Sequence, residues 1–271
     1  MPVFERDGLQ FHVRDEGHGL PFVFQHGLGG DVNQPFGLYR PPPGSRLIAF
    51  DVRGHGETRP LGDVAKLTIA TLADDLIGLI DHLGLEKAVV GGISLGAAVA
   101  VNVALRYPDR ALGLVLVRPA WIDRPLPENV ALYTTIARLI REPGPVEGLA
   151  QFRSSPAFLA MERGSPDCAR SIVGQFENPR AQECAARLER LIADTPCLDR
   201  VTYGNLKLPT VILGNRQDPI HPWPLASSLS DLIPGALLRE VAPKSVSLDR
   251  HAADVQQAID DFLTHHFPSS R

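Results

Sequence analysis

The stretch AVVGGISLGAAVA, residues 88–100, decides the fold of this chain. Its apolar start at 88–90 is typical of a buried strand, and the small residues at 97–100 are typical of a closely packed helix. Between them, Gly92-Ile93-Ser94-Leu95-Gly96 matches the G-x-S-x-G pattern of a sharp strand-to-helix turn. Such a turn lifts a weakly nucleophilic serine hydroxyl clear of a sheet. An incidental serine in an ordinary turn is the alternative, but the position between strand and helix favours Ser94 as a nucleophile.

Short runs rich in Val, Ile and Leu recur on both sides of this turn. They lie at residues 22–24, 47–50, 88–90, 112–117, 210–213 and 237–241. Continuous apolar strands are buried on both faces, which is the signature of a parallel sheet covered by helices. The segments between them have helical spacing, and a turn at Arg6-Asp7-Gly8 predicts an antiparallel hairpin that starts the sheet. The pattern predicts an α/β fold with a doubly wound, mostly parallel sheet.

The strand pattern disappears between residues 119 and 205. This stretch predicts four or five short helices separated by proline-containing breaks. We therefore expect residues 1–118 and 206–271 to form the α/β core, and residues 119–205 to form an all-helical cap over the site. Trp121 stands where the chain enters this segment, and it is predicted either to line the substrate pocket or to pack at a hinge.

Two further motifs follow predicted strands. His26-Gly27-Leu28-Gly29-Gly30 forms a glycine-rich turn that can direct a backbone N–H at an oxyanion. The expected donors are the amides of Leu28 and Leu95. In Asp51-Val52-Arg53-Gly54-His55-Gly56 the side chains are expected to brace loops near the site. We interpret both His26 and His55 as structural.

In this order and at these intervals, the HGLGG, DVRGHGET and GISLG motifs resemble those of the α/β-hydrolase superfamily. The resemblance covers nearly the whole chain. It implies an eight-stranded sheet with a helical cap, and a catalytic triad in the order serine, acid, histidine. The acid follows the strand after the cap, which implies Asp218 in GNRQDP, with an N-cap role as the alternative and Asp123 in reserve.

The histidine is harder to assign. The resemblance implies a histidine just beyond the last strand, and that slot falls at about residues 245–247, in Ser-Val-Ser. His251 lies a few residues later, in the first turn of the final helix with Asp249 as its predicted N-cap. We predict that His251 reaches Ser94 and Asp218; the alternative is an incomplete triad. His221 is the weaker substitute.

The composition points to no macromolecular partner. The 271 residues carry a formal net charge of −4, which gives no reason to expect nucleic acid or an anionic membrane. The three cysteines show no CxxC spacing, which argues against a disulfide framework or a zinc site. The first residues lack the apolar stretch of a signal peptide, so the expected location is cytoplasmic. No metal or organic cofactor is expected, and the oligomeric state cannot be read.

The predicted function is hydrolysis of an ester-like or related acyl bond of a small, mostly apolar substrate through an acyl-enzyme. Arg118 is expected to make a surface salt bridge, with contact to an acidic substrate group as the alternative. The resemblance also allows a lyase or a cofactor-free oxygenase, because fold analogy does not fix the reaction. A ligand-binding protein without turnover is the third possibility, and the displaced histidine favours it.

Overall fold

The computed structural model describes residues 3–268. Within this range nine strands, β1 to β9, cover Phe4–Arg6, Leu9–Phe11, Val13–Gly17, Leu20–Gln25, Ser45–Phe50, Ala88–Ile93, Ala111–Val117, Thr210–Gly214 and Leu237–Glu240. The α-helices of the same range, α1 to α11, cover Asn33–Leu38, Ile69–His82, Leu95–Arg106, Leu132–Arg141, Pro145–Arg153, Pro156–Gly164, Pro166–Glu177, Ala181–Cys184, Arg187–Arg190, Trp223–Leu232 and Leu248–His266. Among these helices, none is long and apolar enough to cross a membrane.

One seven-stranded sheet organises the molecule. Its order is β3-β5-β4-β6-β7-β8-β9, with β3 antiparallel to β5 and every other neighbouring pair parallel. Successive side chains point to opposite faces, so Phe22 and Phe24 pack with α1 and α11 while Val23 packs with α2 and α3. Helices therefore cover both faces, and the predicted α/β fold with a mostly parallel sheet is confirmed.

The main sheet has seven strands within residues 3–268 rather than the eight expected. The predicted hairpin is present, with its turn at Asp7 and Gly8, but β1 and β2 form a separate two-stranded sheet. Backbone hydrogen bonds link Gln10 to Arg59 instead of to a strand of the main sheet. The rings of Phe4 and Phe11 pack against Phe50, which anchors the hairpin beside the sheet.

The sequence between β7 and β8 is helical, as expected, although it contains six α-helices, α4 to α9, rather than four or five. We call residues 119–205 the helical insertion. Proline begins three of its helices at residues where the missing N–H costs nothing, and Ser155 caps α6 by accepting a hydrogen bond from the Phe158 amide. The division of the chain into core and cap domains stays a prediction.

A buried ion pair fixes the loop after β5. The Arg53 guanidinium donates two hydrogen bonds to Asp75 on α2, at 2.5 and 2.7 Å, and one to Asp7 in the hairpin turn, at 2.7 Å. Arg53 and Asp75 are almost completely buried. Because the Val52 amide in the same loop donates a hydrogen bond to His26 at the end of β4, this pair helps to set the position of the glycine-rich turn.

We predict that Asp75→Ala destabilises the protein by about 3–5 kcal/mol, because it leaves the Arg53 charge buried without its main partner. Asp81→Ala on the same helix is the matched control, since Asp81 makes an exposed ion pair with Arg110 and its loss should cost no more than about 1 kcal/mol. Urea unfolding of both variants measures the difference. Equal costs would contradict the role assigned to the buried pair.

Candidate active site

Ser94 stands on a strained turn between β6 and α3. Its backbone has φ 56° and ψ −107°, a conformation that L-residues rarely adopt, and its amide donates to the Val117 carbonyl at 2.9 Å. A Cβ on Gly92 would lie 2.2 Å from the Gly96 carbonyl carbon, and a Cβ on Gly96 would lie 2.4 Å from the Gln25 carbonyl oxygen. Only glycine fits at either position, so the motif has the strand–turn–helix geometry that the sequence predicted.

The glycine-rich turn after β4 lies beside Ser94. Within residues 3–268, neither the Leu28 amide nor the Leu95 amide donates a hydrogen bond to another protein group. Leu28 and Ser94 line the same cavity. These free N–H groups are therefore available to an oxyanion, although their role in an oxyanion hole stays a prediction.

The histidines of the two loop motifs have structural contacts. His26 Nδ1 lies 2.8 Å from the Gly27 carbonyl, and His26 Nε2 accepts the Val52 amide at 3.1 Å. Both ring nitrogens are thus committed to backbone groups, and burial lowers the pKa of His26. His55 Nδ1 bonds the Arg53 carbonyl at 2.9 Å, and burial lowers the pKa of His55 well below its usual value. These contacts agree with the structural interpretation of both residues.

Asp218 is buried in the loop after β8, where five donors converge on its carboxylate. Oδ1 accepts the backbone amides of Ile220 and His221, each at 3.0 Å, and the Cys168 thiol at 3.3 Å. Oδ2 accepts His221 Nδ1 at 2.8 Å and Arg118 Nη1 at 3.3 Å. Burial alone raises the pKa of Asp218, but His221 and Arg118 outweigh it and hold this pKa well below the usual range.

The imidazole that Asp218 holds is that of His221. The ring lies almost completely buried, and His221 lines the same cavity as Ser94. Its Nδ1 donates to Asp218, which leaves Nε2 as the acceptor nitrogen, and no protein group within residues 3–268 hydrogen-bonds to Nε2. Burial, which is the largest effect, lowers the pKa of His221 despite the neighbouring Asp218 carboxylate. The ring is therefore neutral at pH 7, as a general base requires.

The predicted pairing of His251 with Asp218 and Ser94 is absent from this structure, and the prediction is corrected. His251 Nδ1 bonds the Ala242 carbonyl at 2.8 Å, and His251 Nε2 is buried without a partner. Burial and the Arg118 charge lower the pKa of His251 to about 4. The physical reason is the start of α11: Ser247, rather than the predicted Asp249, caps the helix and fixes His251 in its first turn, facing the loop after β9.

The cavity above Ser94 has a volume of about 70 Å³. Apolar and charged side chains share its walls, which include Gly27, Leu28, Gln34, Ile93, Ser94, Arg118, Trp121, Val130, Tyr133, Asp167, Cys168, Ser171, Ile220, His221 and Lys244. Trp121 lines the cavity, which is one of the two positions considered for it, and its place in a substrate pocket stays a prediction. The charged walls do not match the expectation of a mostly apolar substrate, and Arg118 is buried rather than engaged in a surface salt bridge.

Several of these residues were missed by the sequence analysis. Lys244 immediately precedes the slot in which a histidine was expected, and this position was the one available signal. Burial and the Arg118 charge lower the pKa of Lys244 to about 8. Cys168 and Tyr133 come from helices of the insertion, and no local pattern indicates that they approach Asp218 and Ser94.

Gln175 and Arg187 connect the helical insertion to the glycine-rich turn. Gln175 Nε2 donates to the Leu28 carbonyl at 3.3 Å, and Gln175 Oε1 accepts Arg187 Nη2 at 3.2 Å. Arg187 is almost fully buried and donates to the Gly54 carbonyl at 2.8 Å. No local pattern in the sequence indicates this link between α7, α9 and the two loop motifs.

Buried neutral histidines make stability depend on pH. The pKa values of His26, His55, His221 and His251 are all lowered by burial. Below about pH 6.5 the unfolded chain takes up protons that the native histidines do not bind, so stability is lost as pH falls.

We therefore predict that the urea midpoint falls between pH 7 and pH 5, and that His251→Gln makes this dependence shallower by up to one proton. Exposed His18 provides the control variant His18→Gln. A urea midpoint that stays constant over this pH range would contradict the prediction.

Comparison with known proteins gives the family. The alpha/beta hydrolase fold family matches residues 21–245. A proline iminopeptidase of Neisseria gonorrhoeae is 28% identical over 279 aligned residues, which cover 90% of this chain and 89% of that protein. A shorter stretch, 40% identical over 116 residues, matches the dihydrolipoyllysine-residue acetyltransferase component of the acetoin cleaving system of Pseudomonas putida, and it covers 41% of this chain and only 29% of that relative.

Among solved structures, that of a thermophilic esterase from Thermogutta terrifontis with malate bound has a TM-score of 0.70 and 27% identity, and the match covers 97% of each chain. The family match spans far more than half of the sequence and includes the Ser94 turn and the Asp218 loop. This chain therefore belongs to the alpha/beta hydrolase fold family.

Proposed function

We propose that this protein is a serine hydrolase that cleaves an ester-like acyl bond, with Ser94 as nucleophile and His221 as general base. The observation that carries the proposal is that one cavity is lined both by Ser94, on its strained turn, and by the imidazole that Asp218 holds. A nucleophile, a base and a carboxylate that orients the base are the three parts of a triad mechanism.

The reaction proceeds in two acyl transfers. Ser94 Oγ attacks the carbonyl carbon while His221 Nε2 accepts the hydroxyl proton, and the protonated ring then donates that proton to the leaving alcohol as the ester bond breaks. A water molecule next attacks the acyl carbon and gives one proton to His221. The protonated ring then returns that proton to Ser94 Oγ as the acyl–oxygen bond breaks, which releases the carboxylic acid and restores the serine hydroxyl. Asp218 fixes the tautomer of His221 throughout and stabilises the transient imidazolium.

The amides of Leu28 and Leu95 stabilise the oxyanion of both tetrahedral intermediates. Their lack of other hydrogen bonds within residues 3–268 supports this role. No cofactor takes part in these steps. The helical insertion acts as a cap, because Trp121, Tyr133 and Cys168 on this segment form part of the cavity wall.

The charged side chains of the cavity walls favour an ester substrate over a peptide with a free amino terminus. The positively charged side chains of Arg118 and Lys244 line the cavity, and a free substrate amine beside them would be repelled. The proline iminopeptidase relative therefore shares the fold but is the less suitable guide to the substrate. The volume of about 70 Å³ suits a short acyl group.

We predict that a fluorophosphonate labels Ser94 in the wild type, that Ser94→Ala abolishes labelling, and that His221→Ala slows it by about 100-fold or more, because the serine loses its base. His251→Ala should slow labelling no more than a few-fold. Mass spectrometry locates the label, and circular dichroism verifies that each variant is folded.

The His251→Ala variant is the matched comparison for His221→Ala. If labelling collapses in His251→Ala and persists in His221→Ala, the base is His251 and the assignment made here is wrong. If the wild type is not labelled at all, Ser94 is not activated, and a ligand-binding protein becomes the better reading.

We also predict that Gln175→Leu lowers kcat about tenfold with little change in KM, because the Leu28 carbonyl loses the contact that helps to hold this residue's backbone, and with it the Leu28 N–H, in place for the oxyanion. Steady-state hydrolysis of 4-nitrophenyl butyrate measures both constants. Gln151→Leu is the control, since the Gln151 side chain is exposed and hydrogen-bonds Glu147 on its own helix. A change confined to KM would contradict a role in the transition state.

A further inference from the structure

We propose that the acyl compound cleaved at Ser94 carries a carboxylate, and that Arg118 and Lys244 bind this group. The inference rests on the proposed function and specifies its substrate class. These two cationic side chains come from different elements of the fold, and both line the Ser94 cavity.

Arg118 is held in the site by a strained backbone. It follows β7 with φ 47°, just as Ser94 follows the neighbouring strand β6 with φ 56°, and its amide donates to the Leu213 carbonyl at 2.7 Å. Left-handed conformations of non-glycine residues persist where the surrounding structure enforces them, and they cluster at functional sites. The same strain thus marks a nucleophile and a guanidinium at the ends of adjacent strands.

Most hydrogen-bond donors of the Arg118 guanidinium have no protein partner within residues 3–268. Its side chain is 8% exposed, and within residues 3–268 it makes one side-chain hydrogen bond, from Nη1 to Asp218 at 3.3 Å. Arg118 Nε is buried and has no hydrogen-bond partner in the same range. Asp218 meanwhile accepts four other hydrogen bonds, so its carboxylate is not dedicated to Arg118. A guanidinium with free donors is suited to a carboxylate ligand.

Lys244 has no hydrogen bond or ion pair within residues 3–268, although it is partly buried. Its pKa, about 8, keeps the ammonium form predominant at neutral pH. Asp167 also lines the cavity, and its Oδ1 accepts the Ser165 hydroxyl at 2.8 Å instead of an Lys244 proton. A partly buried cation without a direct ion-pair partner is costly, and an anionic ligand in contact with it would reduce that cost.

A third free donor lines the same cavity. Trp121 is 3% exposed, and its indole N–H is buried without a hydrogen-bond partner. Arg, Lys and Trp side chains donate hydrogen bonds and accept none, so together they select a ligand rich in acceptors. Asp167 on the same wall limits the negative charge that can lie beside the two cations, which favours a carboxylate over a phosphate group. The small cavity requires this carboxylate to lie within a few bonds of the scissile carbonyl.

The test compares two esters of equal chain length, 4-nitrophenyl butyrate and mono-4-nitrophenyl succinate, which differ in a terminal carboxylate. We expect the wild type to have the higher kcat/KM for the succinate ester. In Lys244→Met the ratio of the two kcat/KM values should fall about tenfold to 100-fold, as for loss of a charged hydrogen bond, and Lys244→Arg should restore part of it. Exposed Lys207→Met is the matched control and should keep the wild-type ratio.

Thermal shift by succinate provides a readout that needs no turnover. Succinate should raise the Tm of the wild type and of Lys207→Met but not that of Lys244→Met, and succinamide should raise none of them. Absence of a succinate effect together with an unchanged ester ratio in Lys244→Met would overturn the inference while leaving Ser94-dependent hydrolysis of the butyrate intact. Succinate binding without labelling or hydrolysis at Ser94 would instead support the anion site and overturn the proposed function.

Discussion

The carboxylate of Asp218 is the constraint on which the site depends. Its two oxygens accept hydrogen bonds from Arg118 after β7, from His221 in the same loop, and from Cys168 in the helical insertion. A buried carboxylate is stable only when it is compensated in this way, so each of these groups is held where the charge requires it. The position of the His221 ring follows directly from this requirement.

A rigid sheet makes the local strain possible. Ser94 and Arg118 both adopt left-handed backbone conformations, and they follow adjacent parallel strands whose ladder and flanking helices leave the chain no alternative path. The same strand ends bring the nucleophile, the guanidinium and the acidic loop to one edge of the sheet. The strained backbone at Ser94 and Arg118, and the approach of these residues to the Asp218 loop, therefore both follow from the parallel arrangement of the strands.

The helical insertion contacts both loop motifs beside the candidate site. Gln175 holds the carbonyl of Leu28, and buried Arg187 connects Gln175 to the loop after β5. A movement of the insertion would therefore change the direction of the Leu28 N–H. In the proposed mechanism, these hydrogen bonds would couple the position of the insertion to stabilisation of the oxyanion. Trp121 and Tyr133 on the same segment complete the cavity.

The sequence by itself determined the α/β fold, the Ser94 turn and the choice of Asp218, because these depend on local patterns: apolar strands, glycines that permit close approach, and an acid after a strand. Only the tertiary structure decided which histidine faces Asp218, since His221 and His251 differ in the side from which their elements approach the site. It also decided that Lys244, Arg118 and Trp121 share one cavity. Lys244 stands more than a hundred positions from Arg118 and Trp121, and no periodicity along the chain indicates that they meet.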